Sequence, residues 1–155
     1  MKSLEIKNKK SFMNRFLMKE EFDDFLLKEA VIMTSNMYTI NGIENRDYYD
    51  NDEDIIKEES PYDYATWRKM RPIIQTLIRG KHTPVSMKIT MYLKPDLAKE
   101  VLEGDAGVVD YLIINLHYSQ NGMNITTGLA YREFTMDKDQ EKLWDAYVTA
   151  LIGDE

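Results

Sequence analysis

Cysteine is absent from all 155 residues of the chain, and histidine occurs only twice. The absence of cysteine excludes disulfide bonds, thiol nucleophiles and cysteine-ligated metal centres. His82 and His117 lie 35 residues apart in the sequence, a spacing that does not suit a histidine-rich zinc site. We therefore expect a protein that holds no metal ion and no cofactor.

Long hydrophobic runs are equally absent. The purely apolar runs extend over only a few residues, whereas a membrane-spanning helix needs about 20. The first ten residues carry several charges and no apolar run follows them, so no secretory signal is expected. The 43% of hydrophobic and 30% of charged residues are typical of a soluble globular protein. We expect a cytoplasmic protein without a membrane partner, folded as a single globular domain over residues 1–155.

Acidic side chains are missing from residues 64–95, although the whole chain has a net charge of −7. The segment carries seven basic residues, namely Arg68, Lys69, Arg71, Arg79, Lys81, Lys88 and Lys94. Its charge is therefore +7, and the rest of the chain sums to −14. Such an asymmetry predicts that the segment faces an anionic ligand, an acidic protein partner or the acidic remainder of its own fold. The sequence leaves these alternatives and the oligomeric state open.

Alternating apolar residues predict strands at residues 30–40, 43–49, 85–93, 110–119 and 123–134. Asn41-Gly42 and Asn121-Gly122 are expected to form the tight turns of two hairpins, because a type I′ turn needs positive φ at both central residues. Helical patterns precede, separate and follow these strands. The expected fold class is α+β: a mainly antiparallel sheet of about five strands with helices packed on it.

Capping residues indicate where the helices begin. Ser11 is the predicted N-cap of the first helix, and Ser60 is the predicted N-cap of a helix that contains Pro72. The proline is expected to kink that helix or divide it in two. Asp137 is the predicted cap of the last helix, whose apolar face includes Trp144. We expect the Trp144 side chain to be largely buried.

The second hairpin is expected to present two different faces. A two-residue turn at Asn121-Gly122 would pair Leu116 with Thr127 on the apolar core face. The opposite face is polar with small residues in its middle, and its expected pairs are His117–Thr126, Asn115–Gly128, Ile113–Ala130 and Tyr111–Arg132. A helix, a partner or a ligand could approach such a face closely, and a solvated sheet face is the alternative. No carboxylate in the pattern orients His117, so this histidine alone does not indicate catalysis.

A stripe of arginines is predicted on the helix that precedes Gly80. At about 100° per residue, Arg68, Arg71 and Arg79 fall on one side of the helix. They span roughly 16 Å, so their guanidinium groups could follow a run of phosphates or meet an acidic surface. The alternative is the solvated face of an amphipathic helix. Lys81 follows Gly80 in the sequence, where a glycine C-cap with basic neighbours explains the pattern without a ligand.

Residues 47–59 are acidic and poor in apolar side chains, and we predict that they form an exposed loop. Asp50, Asp52 and Asp54 begin like a calcium-binding loop. However, Ile55 stands at the sixth position, where that loop requires glycine. The segment is therefore not predicted to bind a metal ion.

Several characteristic short segments are distributed over the chain, namely Lys10–Met13, Phe22–Leu27, Gly80–Pro84, Thr126–Gly128, Phe134–Lys138 and Trp144. Through them the chain resembles, over nearly its whole length, a family of uncharacterised proteins of unknown function from Gram-positive gut bacteria. The resemblance implies a bacterial, intracellular protein without a known activity. The family has no assigned catalytic residues that could be carried over to this chain.

The leading hypothesis is a non-catalytic binding or protein-interaction module of the bacterial cytoplasm. One alternative is weak binding of nucleic acid, a nucleotide or another anion through residues 64–95. A second is an enzyme with a dispersed site on the polar hairpin face. The predicted binding residues are Arg68, Arg71, Arg79, Lys81, Asn115, His117, Thr126 and Arg132.

Overall fold

The computed structural model describes residues 1–104 and 107–153. Their order is β1 (Ser3–Glu5), α1 (Lys9–Met18), β2 (Phe25–Met33), β3 (Met37–Asn41), a 3-10 turn (Arg46–Tyr49), α2 (Glu53–Glu59), β4 (Ala65–Thr66), α3 (Trp67–Ile78), β5 (Ser86–Leu93), α4 (Pro95–Val101), β6 (Val109–Ser119), β7 (Gly122–Tyr131) and α5 (Asp139–Ile152). No helix in these two ranges has both the length and the apolar character needed to cross a membrane.

The fold is α+β, as predicted, but the antiparallel sheet formed by the described residues has seven strands rather than about five. The order across the sheet is β1-β7-β6-β5-β2-β3, and β4 also pairs with β2. Strands β1 and β4 contain only three and two residues. An alternating pattern needs at least four residues to be recognised, so these two strands carried no signal in the sequence.

The predicted position of the first hairpin turn is wrong. Strands β2 and β3 are joined through residues 34–36, and Met33 pairs with Met37. Gly42 instead lies against a bulge in β2, where its N–H donates to the carbonyl oxygen of Lys28 at 2.9 Å. A Cβ atom at Gly42 would lie 1.8 Å from the carbonyl oxygen of Leu27. Close backbone approach, not turn geometry, therefore requires this glycine.

The second hairpin has the predicted faces but not the predicted register. Ser119 pairs with Gly122 and Leu116 with Ile125, so the turn is formed by residues 120 and 121. Within the described residues, positive φ occurs at neither Asn121 nor Gly122, and the expected type I′ Asn-Gly turn is absent. The resulting register differs by two residues from the prediction. A shift of two preserves the side-chain faces, and Leu116 is buried as expected.

The helices begin at positions other than the predicted ones. Asn8, not Ser11, caps α1 and accepts a hydrogen bond from the N–H of Ser11. Helix α3 is capped by Thr66 rather than Ser60, because the residues before it pair with β2 as strand β4. Helix α3 then continues through Pro72.

Two further sequence predictions concern exposed segments. Helix α5 begins at Asp139, and the side chain of Asp137 accepts a hydrogen bond from the N–H of that residue. Asp137 therefore lies one residue before the N-cap. Residues 47–59 are largely exposed, but they contain the end of the 3-10 turn and all of α2 rather than an irregular loop.

The core lies on one face of the sheet, beneath α1, α3, α4 and α5. Its centre is a chain of rings, formed by Phe12, Phe16, Phe22, Phe25, Trp67 and Trp144. The indole N–H of Trp67 donates to the carbonyl oxygen of Phe16, and that of Trp144 donates to Ile113, both at 2.9 Å. Trp144 is fully buried, as predicted.

Candidate functional site

We call the other side of the sheet, opposite α1, α3, α4 and α5, the open face. Cross-strand pairing aligns one row of side chains over the upper part of this face, consisting of Glu5, Asn124, His117, Lys88 and Val31. The row crosses five strands, from the β1 edge of the sheet to β2. Glu5, His117 and Lys88 in this row are exposed to solvent.

A second row runs parallel to the first, two residues further along each strand, and contains Ser3, Thr126, Asn115, Thr90 and Glu29. The Thr90 hydroxyl donates to Oδ1 of Asn115 at 2.8 Å, which fixes the orientation of the amide. Asn115 and Thr126 form a direct cross-strand pair. The structure therefore brings together three of the predicted binding residues, Asn115, His117 and Thr126.

Small and apolar residues follow below these rows. Ile113 pairs with Gly128, and Ala130 pairs with Tyr111. All four residues are half-buried, and none of the helices in residues 1–104 and 107–153 packs on them from this side. A Cβ atom at Gly128 would meet only the Cβ of Ile113, at 3.8 Å, so the surface above Gly128 is open.

A cluster of three tyrosines occupies the lower end of the open face. The rings of Tyr92 and Tyr111 stack at 4.2 Å, and Tyr64 packs edge-on against them at 5.2 and 6.0 Å. Burial, as the largest cause, raises the pKa of Tyr92 and of Tyr111 above the ordinary value. Neighbouring Tyr64 adds to the rise at Tyr92, and Asp63 adds to it at Tyr111.

This tyrosine cluster is not among the predicted binding residues. A usable signal existed, because Tyr92 stands between Met91 and Leu93 and must point to the face opposite theirs. The same parity places Tyr111 opposite to Leu112. Tyr64 immediately precedes β4, and its contribution could not be predicted, since Tyr92 and Tyr111 are distant from it in the sequence.

The depressions of the open face include two that are lined by described residues. One, of about 150 Å³, lies between Glu29, Val31, Lys88 and Thr90. The other, of about 440 Å³, is lined by polar residues near the hairpin turn, including Glu5, His117 and Asn124. The first is smaller than ordinary ligand pockets, and the second is wide open to solvent. Neither depression is therefore an ordinary enclosed ligand pocket.

His117 is not paired with any acidic side chain that the structure describes. Within residues 1–104 and 107–153, no hydrogen bond to its imidazole is formed. Glu5 lies in the same row, but Asn124 and its strand stand between the two side chains. In the same part of the chain, no three His, Asp or Glu residues are grouped closely enough to hold a metal ion.

Arg132 lies apart from the other predicted binding residues of the hairpin. It follows the end of β7, and the predicted pair Tyr111–Arg132 is replaced by Tyr111–Ala130. Its Nε donates to Asp110 at 3.4 Å, and both side chains are more than half exposed. Such an exposed ion pair contributes little to stability.

The arginine stripe of α3 is interrupted at its centre. Arg71 donates from Nε and Nη2 to the Asp23 carboxylate at 2.9 and 3.1 Å, and from Nη1 to the carbonyl oxygen of Leu17 at 3.3 Å. The hydrogen bond to Asp23 raises the pKa of Arg71 further above its ordinary value. At Arg71 the basic segment therefore meets the acidic remainder of its own fold, and this guanidinium joins α3 to the segment before β2.

The basic segment is thus only partly neutralised inside the fold. Lys69 lies 3.9 Å from Glu44, and Lys94 lies over the ring of Tyr62. Arg68, Arg79 and Lys81 are exposed, and no carboxylate of the described ranges lies within ion-pair distance of them. Arg68 lies in the first turn of α3, and Arg79 and Lys81 follow the end of that helix.

Comparison with known proteins identifies a family without an assigned activity. No curated protein and no solved structure is detectably similar to the chain. The model of a family of unknown function, DUF5721, matches residues 15–155. This match covers most of the chain and confirms the predicted relationship to a family of uncharacterised proteins. The chain belongs to the family of unknown function DUF5721.

Proposed function

We propose that this protein is a non-catalytic protein-interaction module of the bacterial cytoplasm, and that its open face binds a partner protein. The observation that carries the proposal is a broad sheet surface that leaves half-buried apolar and small residues uncovered. Ile113, Gly128 and Ala130 lie at its centre, next to the neutral polar side chains of Asn115 and Thr126. Protein interfaces likewise combine a core poor in charge with a polar rim.

The shape of the open face supports a protein partner over a small molecule. Small ligands are usually enclosed in clefts that bury most of their surface. Of the two depressions described above, one is smaller than ordinary ligand pockets and the other is open to solvent, whereas a broad exposed sheet surface can meet a second protein over a large area. Gly128 has no side chain and Ala130 has only a methyl group, so the backbone of a partner can approach them closely.

The charge of the open face supports a partner without a strong charge of its own. Its two upper rows contain the carboxylates of Glu5 and Glu29 and the ammonium group of Lys88. No single sign dominates, so long-range attraction to a polyanion is not expected there. Specificity would come from the hydrogen-bonding groups of Asn115 and Thr126 rather than from net charge.

The test compares two arginine substitutions in a tagged full-length protein made at its natural level. Thr126→Arg places a long charged side chain in the centre of the open face, and Thr76→Arg makes the same change at an exposed position of α3. We expect a co-purifying partner to be lost with Thr126→Arg and kept with Thr76→Arg, at unchanged melting temperature. Loss with both variants, or with neither, would contradict the proposal.

A second candidate function is anion binding through Arg68, Arg79 and Lys81, which the fold leaves exposed without carboxylate partners in its described part. Exposed contacts of this kind are screened by salt, so binding of a short single-stranded oligonucleotide should fall steeply as ionic strength rises. Replacing all three residues by glutamine should abolish the binding seen in low salt. Equal or absent binding in both proteins would exclude this function.

A further inference from the structure

One stretch of the chain is unusually free of charge. Residues 30–43 contain no charged side chain, although 30% of the whole chain is charged. The stretch covers the second half of β2, the turn at residues 34–36 and all of β3. The strand at this edge of the sheet, β3, therefore carries no charged side chain.

Strand β3 is an edge strand whose outer side is unpaired within the described residues. Met37 is 61% exposed and Tyr38 is 36% exposed. Natural proteins usually protect such edges with charged side chains, proline or a bulge, because unpaired N–H and C=O groups attract other strands. Strand β3 has none of these. By contrast, the opposite edge strand, β1, has only three residues and carries Glu5.

Hydrogen bonding defines which residues of β3 face outward. The N–H of Gly42 donates to the carbonyl oxygen of Lys28, and the N–H of Thr34 donates to that of Asn36. The main-chain hydrogen bonds between β2 and β3 are therefore formed by the even-numbered residues. Because the pattern alternates in an antiparallel ladder, the backbone groups of Met37, Thr39 and Asn41 point to the free edge.

We propose that β3 pairs antiparallel with β3 of a second copy of this chain, on a two-fold axis at Thr39. In this register Thr39 pairs with Thr39 of the second copy, and Met37 pairs with Asn41 of the second copy. The outward N–H and C=O groups of these residues then hydrogen-bond to each other across the two strands. Tyr38 meets Ile40 of the second copy on the core side. Thr–Thr and aromatic–β-branched pairs are favourable across strands.

The charge of the molecule favours this edge as the contact between copies. Each chain carries −7, so most surfaces of two copies repel each other when they approach. A strand without charged side chains brings no like charges into direct opposition. Residues that face one another across a strand pair point to the same side of the sheet. The two open faces would therefore form one continuous surface of twice the width, whatever partner that surface binds.

A cysteine cross-link tests the register directly, because the natural chain has no cysteine. In the proposed pairing, the Cα atoms of Thr39 and its copy are about 5.5 Å apart, within the disulfide range of about 4.4–6.8 Å. We expect Thr39→Cys to form a disulfide-linked dimer rapidly under mild oxidation. Thr83→Cys, at an exposed loop position, is the matched control and should cross-link far more slowly.

The mass of the protein in solution tests the association without a covalent bond. Wild-type chains of 18.2 kDa should approach twice that mass as the concentration rises. Thr39→Lys places two ammonium groups opposite each other and should remain monomeric, whereas Thr83→Lys should associate like the wild type. Equal cross-linking of the two cysteine variants, or a monomer at all concentrations, would overturn the proposal.

Discussion

A few side chains hold the helices and the sheet in fixed relative positions. Each combines a large apolar part with a polar group. Trp67 and Trp144 are fully buried, and each donates its indole N–H to a main-chain carbonyl of a different segment. Arg71 acts in a similar way at the border of the core, where it binds one carboxylate and one carbonyl oxygen. These contacts link segments that are distant in the sequence, so their removal should cost more than the lost area alone.

Trp144→Ala should lower the free energy of unfolding by about 3–5 kcal/mol, because it removes a buried ring and leaves a cavity. It also leaves the carbonyl oxygen of Ile113 without its indole donor. Phe134→Ala is the control, since that ring is 91% exposed, and its effect should stay within about 0.5 kcal/mol. Urea unfolding of both variants measures the difference. A wild-type midpoint for Trp144→Ala would be inconsistent with the packing described.

Arg71→Gln should lower the free energy of unfolding by about 1.5–3 kcal/mol, the usual range for a hydrogen bond to a charged group. Arg71 and Asp23 are only 15% and 16% exposed, so solvent screens their interaction weakly. Arg68→Gln removes the same charge from the same helix at an exposed position and should have little effect. If both variants unfold alike, Arg71 does not have the structural role assigned to it.

The stability of the protein should decrease at alkaline pH through Tyr92 and Tyr111. Burial raises the pKa of each phenol in the folded protein above its unfolded value of about 10. The folded state therefore holds these protons more tightly, and their contribution is complete below pH 10 and is lost as the pH rises through the folded-state pKa values. Denaturant midpoints measured across this range should fall less steeply in the double variant Tyr92→Phe/Tyr111→Phe. Identical slopes would show that these phenols titrate as they do in the unfolded chain.

At the scale of elements, alternation along a strand predicted which side chains are buried, but it did not predict which residues pair. The faces of β6 were predicted correctly because the orientation of a side chain depends only on its parity along the strand. The register depended on turn geometry, and Gly122 does not adopt the positive φ that an Asn-Gly turn uses. Gly42 is needed for contact with β2, which no local pattern reveals.

Gly42→Ala should destabilise the protein by about 3 kcal/mol or more, because the new Cβ would collide with main-chain atoms that cannot move aside freely. Gly122→Ala is a matched control in the other hairpin. No atom lies within 4 Å of the Cβ position there, and φ is not positive. Its effect should be within about 1 kcal/mol, because alanine fits this conformation and restricts the unfolded chain. Thermal unfolding of both variants checks the contrast, and equal losses would show that close packing at Gly42 is unimportant.

At the scale of the whole molecule, the sequence predicted the fold class, the buried Trp144 and the polar character of the hairpin face. It could not predict that the basic segment is divided. Asp23 lies 48 residues from Arg71 in the sequence, and only the tertiary fold brings the two together. The tyrosine cluster has the same origin, since Tyr64, Tyr92 and Tyr111 come from three separate parts of the chain. Helices α1, α3, α4 and α5 pack on one side of the sheet, and the open face lies on the other.

The central claim is that the open face contacts a partner protein, and site-specific photo-cross-linking in the cells that naturally produce the chain tests it most directly. A photoreactive phenylalanine replaces Lys88, in the upper row of the open face, or Lys142, on the outer side of α5; both positions are exposed. The account predicts a discrete adduct with one partner from position 88 and none from position 142. No adduct from position 88, or the same adducts from both positions, would contradict it.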